Sequence, residues 1–302
     1  IRRGTRCSTA KAFLRPARHR NNLHIALNSH VTKILINPTT QRAYGVEVER
    51  YKRKYTILAR KEVIVSAGAI NSPQLLMLSG VGPKEQLQQF GITPVKDLRV
   101  GDNLQDHVGM GGLTFLVDKP ISIVQDRFQA FPMTMEYVVH GKGPMTTLGG
   151  VEGLAFINTK YGNYSWPDIQ FHMAPASINS DGGVRVRKVL GLTDQLYNTV
   201  YKPISNRDVY TLMPLLLRPK SRGWVRLNSG KPHDPPLINA NYFHHPQDIR
   251  VLVEGAKFAV KLSQTQAFKQ FNSHLHQIPF PNCQQFPYGS DKYWECHIRT
   301  IS

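Results

Sequence analysis

The run from Gly68 to Pro83, Gly-Ala-Ile-Asn-Ser-Pro-Gln-Leu-Leu-Met-Leu-Ser-Gly-Val-Gly-Pro, constrains the fold more than any other part of the chain. It follows Val63-Ile64-Val65, an apolar triplet that reads as a buried strand. Four small residues come next, Ser66, Ala67, Gly68 and Ala69, and small residues let backbone approach a ligand closely. Ser72 then suits an N-cap and Pro73 a first helical residue. Leu75 to Leu78 continue as a short apolar helix, and Gly80 ends it. A strand, a small-residue turn and a helix N-terminus together make a place for an anionic cofactor group.

The same residues resemble a signature of the glucose–methanol–choline (GMC) family of flavin oxidoreductases. That pattern is a Gly-Ala pair, a Ser-Pro step, a Leu-Leu pair and Ser-Gly-hydrophobic-Gly. It is matched in order by Gly68-Ala69, Ser72-Pro73, Leu75-Leu76 and Ser79 to Gly82. Other segments agree: Gly4 to Ile25, Gly45 to Val48, Gly91 to His107 with its Asn-Leu-Gln-Asp-His ending, and Ser221 to Ser229 with the stretch after it. The wording is most similar to the insect glucose-dehydrogenase-like branch. The likeness is strong up to about His107 and patchy from Val108 to Pro219.

The resemblance implies α/β plus α+β architecture: a partial, Rossmann-like FAD-binding domain with an antiparallel-sheet substrate domain. Residues 1–108 would be part of the FAD-binding domain, 109–245 the substrate domain, and 246–302 a return to the FAD-binding domain. It also implies FAD as cofactor and oxidation of a CH–OH group in a small-molecule alcohol or sugar. Hydride would pass to the flavin, and oxygen or a quinone would be the electron acceptor. Val31 would offer backbone to the adenine. Ser66, Ala67, Gly68 and Ala69 would lie near the adenosine and pyrophosphate. Asn103, Asp106 and His107 would hold a loop near the flavin through side-chain-to-backbone bonds, with His107 a hydrogen-bonded structural residue.

Two expected pieces are missing from these residues. No Gly-x-Gly-x-x-Gly occurs, and Gly109 to Thr114 and Gly141 to Thr146 both fail at the last position. By resemblance the catalytic His segment should follow Ser302, so no catalytic residue is assigned and the chain reads as an inactive internal fragment. The alternatives are a redox-dead or lyase-type member of the same fold, and a basic surface-binding protein.

The net charge of +18 raises that last alternative. Its clusters, Arg2 to Arg20, Lys52 to Lys54 and Arg185 to Lys188, come with no recognisable nucleic-acid module. A basic enzyme is the simpler reading, with no nucleic-acid partner. A hydrophobic content of 41% supports a packed core, and no apolar run is long enough for a membrane span. His244-His245 and His274-Leu-His276 lack a third ligand at a metal spacing, so no metal is expected. Cys283 and Cys296 are close enough to pair in an oxidising compartment; two free buried thiols is the equal alternative. Asn163-Tyr164-Ser165 is a glycosylation sequon. With the family resemblance it points to an extracellular protein.

Strand patterns cover 30–36, 43–51, 55–58, 62–65, 113–117, 151–157, 169–173, 209–217 and 224–227. Pro73 to Leu78 and Lys84 to Phe90 read as short helices. Gln125 to His140 reads as a helix broken at Pro132. Pro246 to Ser263 is the strongest helix, with Ile249, Leu252, Val253, Ala256 and Val260 on its apolar face.

Overall fold

The computed structural model describes residues 1–147 and 149–302. The chain forms two compact units, one of residues 19–106 with 221–244, the other of 1–18, 107–220 and 245–302. The architecture is mixed α/β with antiparallel sheets.

The first unit opens with an antiparallel meander. β1 (Ser29–Ile36) pairs with β2 (Ala43–Arg50), and β2 with β3 (Arg53–Leu58). The turn at Tyr51 and Lys52 has positive φ at both residues, the twist a two-residue hairpin needs. Val63-Ile64-Val65 is not a strand, and Ile64 is 77% exposed. An apolar run becomes a strand only where a neighbour completes its ladder, and no described segment pairs with this one.

Helix α1 (Gly68–Leu78) begins five residues before the expected Pro73. Ser72 lies inside it, its Oγ accepting a hydrogen bond from the Ala67 N–H at 3.1 Å. The helix stops where expected: Gly80 has φ +89°, and a Cβ there would lie 2.7 Å from the Thr93 carbonyl oxygen. β4 (Val81–Gly82) then pairs in parallel with β5 (Lys96–Asp97), across α2 (Lys84–Gln89). Met77, Leu78 and Leu87 form the core of this unit with Val225 and Leu227.

The second unit is built on an antiparallel sheet. Its strands in chain order are β6 (Thr114–Leu116), β7 (Gly153–Ile157), β8 (Ile169–Ala174) and β9 (Val209–Leu216). Helices α3 (Gln125–Phe128) and α4 (Phe131–His140) lie between β6 and β7, with Pro132 in the first turn of α4, where its missing N–H costs nothing. The chain then re-enters the first unit through β10 (Trp224–Arg226) and β11 (Leu237–Asn239), which pair with each other. β12 (His274–Leu275) returns to the second unit and completes the sheet, ordered β12-β6-β9-β8-β7.

The domain limits expected from sequence differ from these units. Residues 221–244 belong with the first unit, because Gly223 exchanges backbone hydrogen bonds with Leu104. Helix α5 (Pro246–Ser263) stays with the antiparallel sheet instead of leaving it. Gly255 makes this possible: a Cβ there would lie 3.0 Å from Pro214 Cβ on β9 and 3.3 Å from Ile169 Cδ1 on β8. The buried face of α5 carries Ile249, Leu252, Val253 and Ala256. Helix α6 (Asp291–Ile301) closes the unit, and Cys283 and Cys296 are joined by a disulfide that ties α6 to the turn at Pro281–Cys283.

Candidate cofactor and substrate sites

In the first unit a cavity of about 400 Å³ brings Pro232 together with residues between Ser29 and Leu78, from β1, the 63–67 segment and α1. Val31, Ser66 and Ala67 all line it, so three residues singled out from sequence meet at one cavity. Apolar side chains of Ile34, Val46, Val63 and Leu75 provide flat faces. Ser29, Asn71 and Gln74 provide polar edges, although Gln74 Nε2 already donates to the Asp234 carbonyl at 2.9 Å. β1 is the edge of its sheet, so its outer backbone row has no strand beside it. One member of that row, the Ile34 N–H, is taken by Ser79 Oγ at 2.8 Å.

Gly68 and Ala69 stand at the start of α1, outside the cavity lining. Gly68 has φ +90°, and nothing lies within 4 Å of where its Cβ would be. The backbone there is open to a bulky neighbour. The α1 N-terminus also presents unbonded N–H groups and the positive end of an 11-residue helix.

The 101–106 loop is fixed by the 221–244 segment. Asn103, in a left-handed conformation at φ 62°, accepts from Arg222 Nε at 2.9 Å. Asp102 takes ion pairs from Arg226 and Arg99, and hydrogen bonds from these two guanidiniums hold its carboxyl below the usual range. Tyr242 Oη donates to Asp106 at 2.5 Å, and that bond, with some burial, pushes the phenol up to about 12. Asn103 and Asp106 therefore hold the loop through side chains of distant residues, where side-chain-to-backbone bonds were expected. His107 departs further from expectation: it is exposed and makes no hydrogen bond among the described residues.

The second unit holds a buried polar pair that the sequence reading missed. His297 on α6 is 3% exposed, and neither ring nitrogen makes a well-formed hydrogen bond. Burial pushes it down to about 3, with the Gly111 backbone near enough to oppose the shift slightly. Tyr201 Oη is also buried without a partner among the described residues, and burial pushes that phenol well above its ordinary value. Both atoms face Gly112, whose absent Cβ would fall 2.8 Å from Tyr201 Oη and 2.9 Å from His297 Nε2. A lone His in an amphipathic helix gives no sequence signal for this. His276, one of the paired histidines noted in the sequence, has its Nε2 2.7 Å from the Val200 carbonyl oxygen.

Family models described as GMC oxidoreductase match residues 1–109 and 219–302. The chain is 40% identical over 301 residues to glucose dehydrogenase [FAD, quinone] of Drosophila pseudoobscura pseudoobscura, covering 99% of this chain and 45% of that protein. It is 34% identical over 277 residues to ecdysone oxidase of Bombyx mori, covering 91% of this chain and 40% of that one. The chain thus spans about half the length of the curated relatives it matches or less. Its fold matches that of an Aspergillus oryzae formate oxidase variant, with a TM-score of 0.79 and 23% identity, over 100% of this chain and 52% of the other.

Proposed function

Because the chain belongs to the GMC oxidoreductase family, we propose that it contributes to an FAD-dependent oxidation of a CH–OH group in a small-molecule alcohol or sugar. The observation that carries this reading is the convergence of Val31, Ser66 and Ala67 on one cavity beside the N-terminus of α1. Bound FAD would supply the acceptor for the hydride that leaves the alcohol carbon, and pass its electrons to a quinone or to oxygen.

The residues present fit the adenosine end of such a cofactor. Adenine has apolar faces and a hydrogen-bonding edge. The walls Ile34, Val46, Val63 and Leu75 suit the faces, and the outer backbone row of β1 with Asn71 suits the edge. Gly68, Ala69 and the free amides of α1 suit a pyrophosphate. Asn103 and Asp106 would hold their loop in place from the opposite bonds to Arg222 and Tyr242. His107, exposed and without a hydrogen bond among the described residues, is free to take a partner from a bound cofactor. No described residue is assigned as the proton acceptor; His297 is sealed beneath Gly112. The disulfide and the exposed sequon at Asn163 favour an oxidising, extracellular setting. Among the described residues no helix is long and apolar enough to cross a membrane.

The test is anaerobic addition of alcohols and sugars to the protein expressed from its complete reading frame and loaded with FAD. Bleaching of the flavin spectrum is the expected result. A flavin-loaded protein that no alcohol or sugar reduces would overturn the reading.

A further inference from the structure

The second unit carries an apolar cavity of about 320 Å³ on its antiparallel sheet. Ile123, Phe128, Ile178, Val186, Leu190 and Met213 supply its bulky walls. Small residues, Gly111, Gly112, Ala174 and Ala176 among them, leave it open. This cavity is a trough; a second cavity of about 640 Å³, which shares Gly111, Ile178, Leu190 and Met213 with it, is lined in addition by the polar residues Thr193, Gln195, Asn282 and Thr300 and is a separate space.

Four of the polar side chains in the 320 Å³ lining, those of Thr211, Ser180, Ser177 and Asp181, are already occupied. Thr211 Oγ1 donates to the Ala176 carbonyl at 2.7 Å. Ser180 Oγ accepts from the Ser177 N–H at 2.8 Å, and Ser177 Oγ bonds the Asn179 side chain. Asp181 spends its carboxylate on three backbone N–H groups, those of Gly183, Arg185 and Val186, at 3.0, 2.8 and 2.8 Å. Thr114 and Gln125 alone in this lining make no side-chain hydrogen bond among the described residues.

We propose that this trough receives the hydrocarbon body of a lipophilic alcohol, which makes the substrate class a hydrophobic alcohol and not a hexose; the inference rests on the oxidation reading above. A hexose would bring a ring of hydroxyls into a wall with two unoccupied polar side chains, and each hydroxyl stripped of water without a new partner weakens binding. A hydrocarbon chain loses nothing by leaving water. Each buried methylene should tighten binding about fourfold. Thr114 and Gln125 suffice to orient a single hydroxyl.

The experiment is a chain-length series of primary n-alcohols, set beside D-glucose, on the FAD-loaded protein from its complete reading frame. Two quantities are read: displacement of the fluorescent dye anilinonaphthalene sulfonate, and kcat/KM for flavin reduction. The trough predicts that both rise about fourfold per methylene until it is filled, with glucose at least about a hundredfold below the best alcohol in kcat/KM. Leu190→Gln, at a residue 57% exposed, and Val186→Ser, at one 38% exposed, should flatten both slopes while FAD content stays unchanged. Flat slopes in the unmodified protein, or glucose equal to the best alcohol, would overturn the trough and leave the oxidation reading standing. A rising displacement series without flavin reduction would support the trough and overturn the oxidation reading.

Discussion

Ser79 Oγ accepts the Ile34 N–H at 2.8 Å and donates to the Leu75 carbonyl at 2.6 Å, so one buried hydroxyl fastens α1 to the edge strand β1. Both elements it joins contribute residues to the lining of the cavity that holds Val31, Ser66 and Ala67. Ser79 is 3% exposed, as is Ile34. Ser79→Ala would leave the Ile34 N–H buried without a partner. The expected loss is about 1–3 kcal/mol of unfolding free energy, measured by denaturant titration. A loss within error of zero would show that water replaces the hydroxyl.

The Cys283–Cys296 bond spans 13 positions and anchors α6. Loops of that size restrict the unfolded chain enough to be worth about 2–4 kcal/mol. Cys296→Ser should lower stability by that amount and expose the buried Cys283 to thiol reagents only on unfolding. Equal stability with and without reductant would contradict the account.

His297 sets a pH dependence whose sign is fixed. The unfolded chain carries an ordinary histidine near 6.5, while the folded one stays neutral down to about 3. Between those values the unfolded state binds the extra proton. Stability is therefore fully present above about 6.5 and falls as pH drops toward 3, by up to about 1.4 kcal/mol per pH unit. The groups packed on the ring, Phe280, Tyr293 and Trp294, offer no acid to offset this. His297→Phe should remove the slope contributed by this residue. Unfolding curves at pH 7, 6 and 5 for both proteins, differing by a constant amount, would refute it.

Asn163 lies on an exposed turn, with its Oδ1 accepting the Ser165 N–H at 3.3 Å and Tyr164 99% exposed beside it. Expression through a secretory pathway should attach an N-glycan there. The check is a mass shift sensitive to glycosidase and lost in Asn163→Gln. An unmodified Asn163 in secreted protein would show that the turn is refused as an acceptor.

Much of this was readable from residue chemistry, for local reasons. Gly80 ends α1 because only a glycine tolerates that φ beside the Thr93 carbonyl, and Pro132 marks a break because it cannot sit deep in a helix. Reading failed where the deciding contact was far away in sequence. Val63-Ile64-Val65 has strand composition, yet a ladder depends on a partner that composition does not encode. The return of β10 to the first unit rests on the Leu104–Gly223 pair, which leaves no local mark. Pro73 suggested a helix start, but the helix begins at Gly68, with Ser72 inside it reaching back to the Ala67 N–H. In the candidate site, Val31, Ser66 and Ala67 came from the resemblance, while the ties of Asn103 to Arg222 and of Asp106 to Tyr242 needed coordinates.

The most direct test of the central claim is the FAD affinity of Ala67→Glu against the unmodified protein, both from the complete reading frame, by fluorescence titration of the apo-proteins. Ala67 lines the cavity beside the α1 N-terminus, so a bulky carboxylate there would occupy the cofactor's space and repel its phosphates. The account predicts stoichiometric FAD in the unmodified protein and at least about tenfold weaker binding in the variant, roughly 1.4 kcal/mol. Equal affinity in a variant with unchanged circular dichroism would place the cofactor elsewhere and contradict the account.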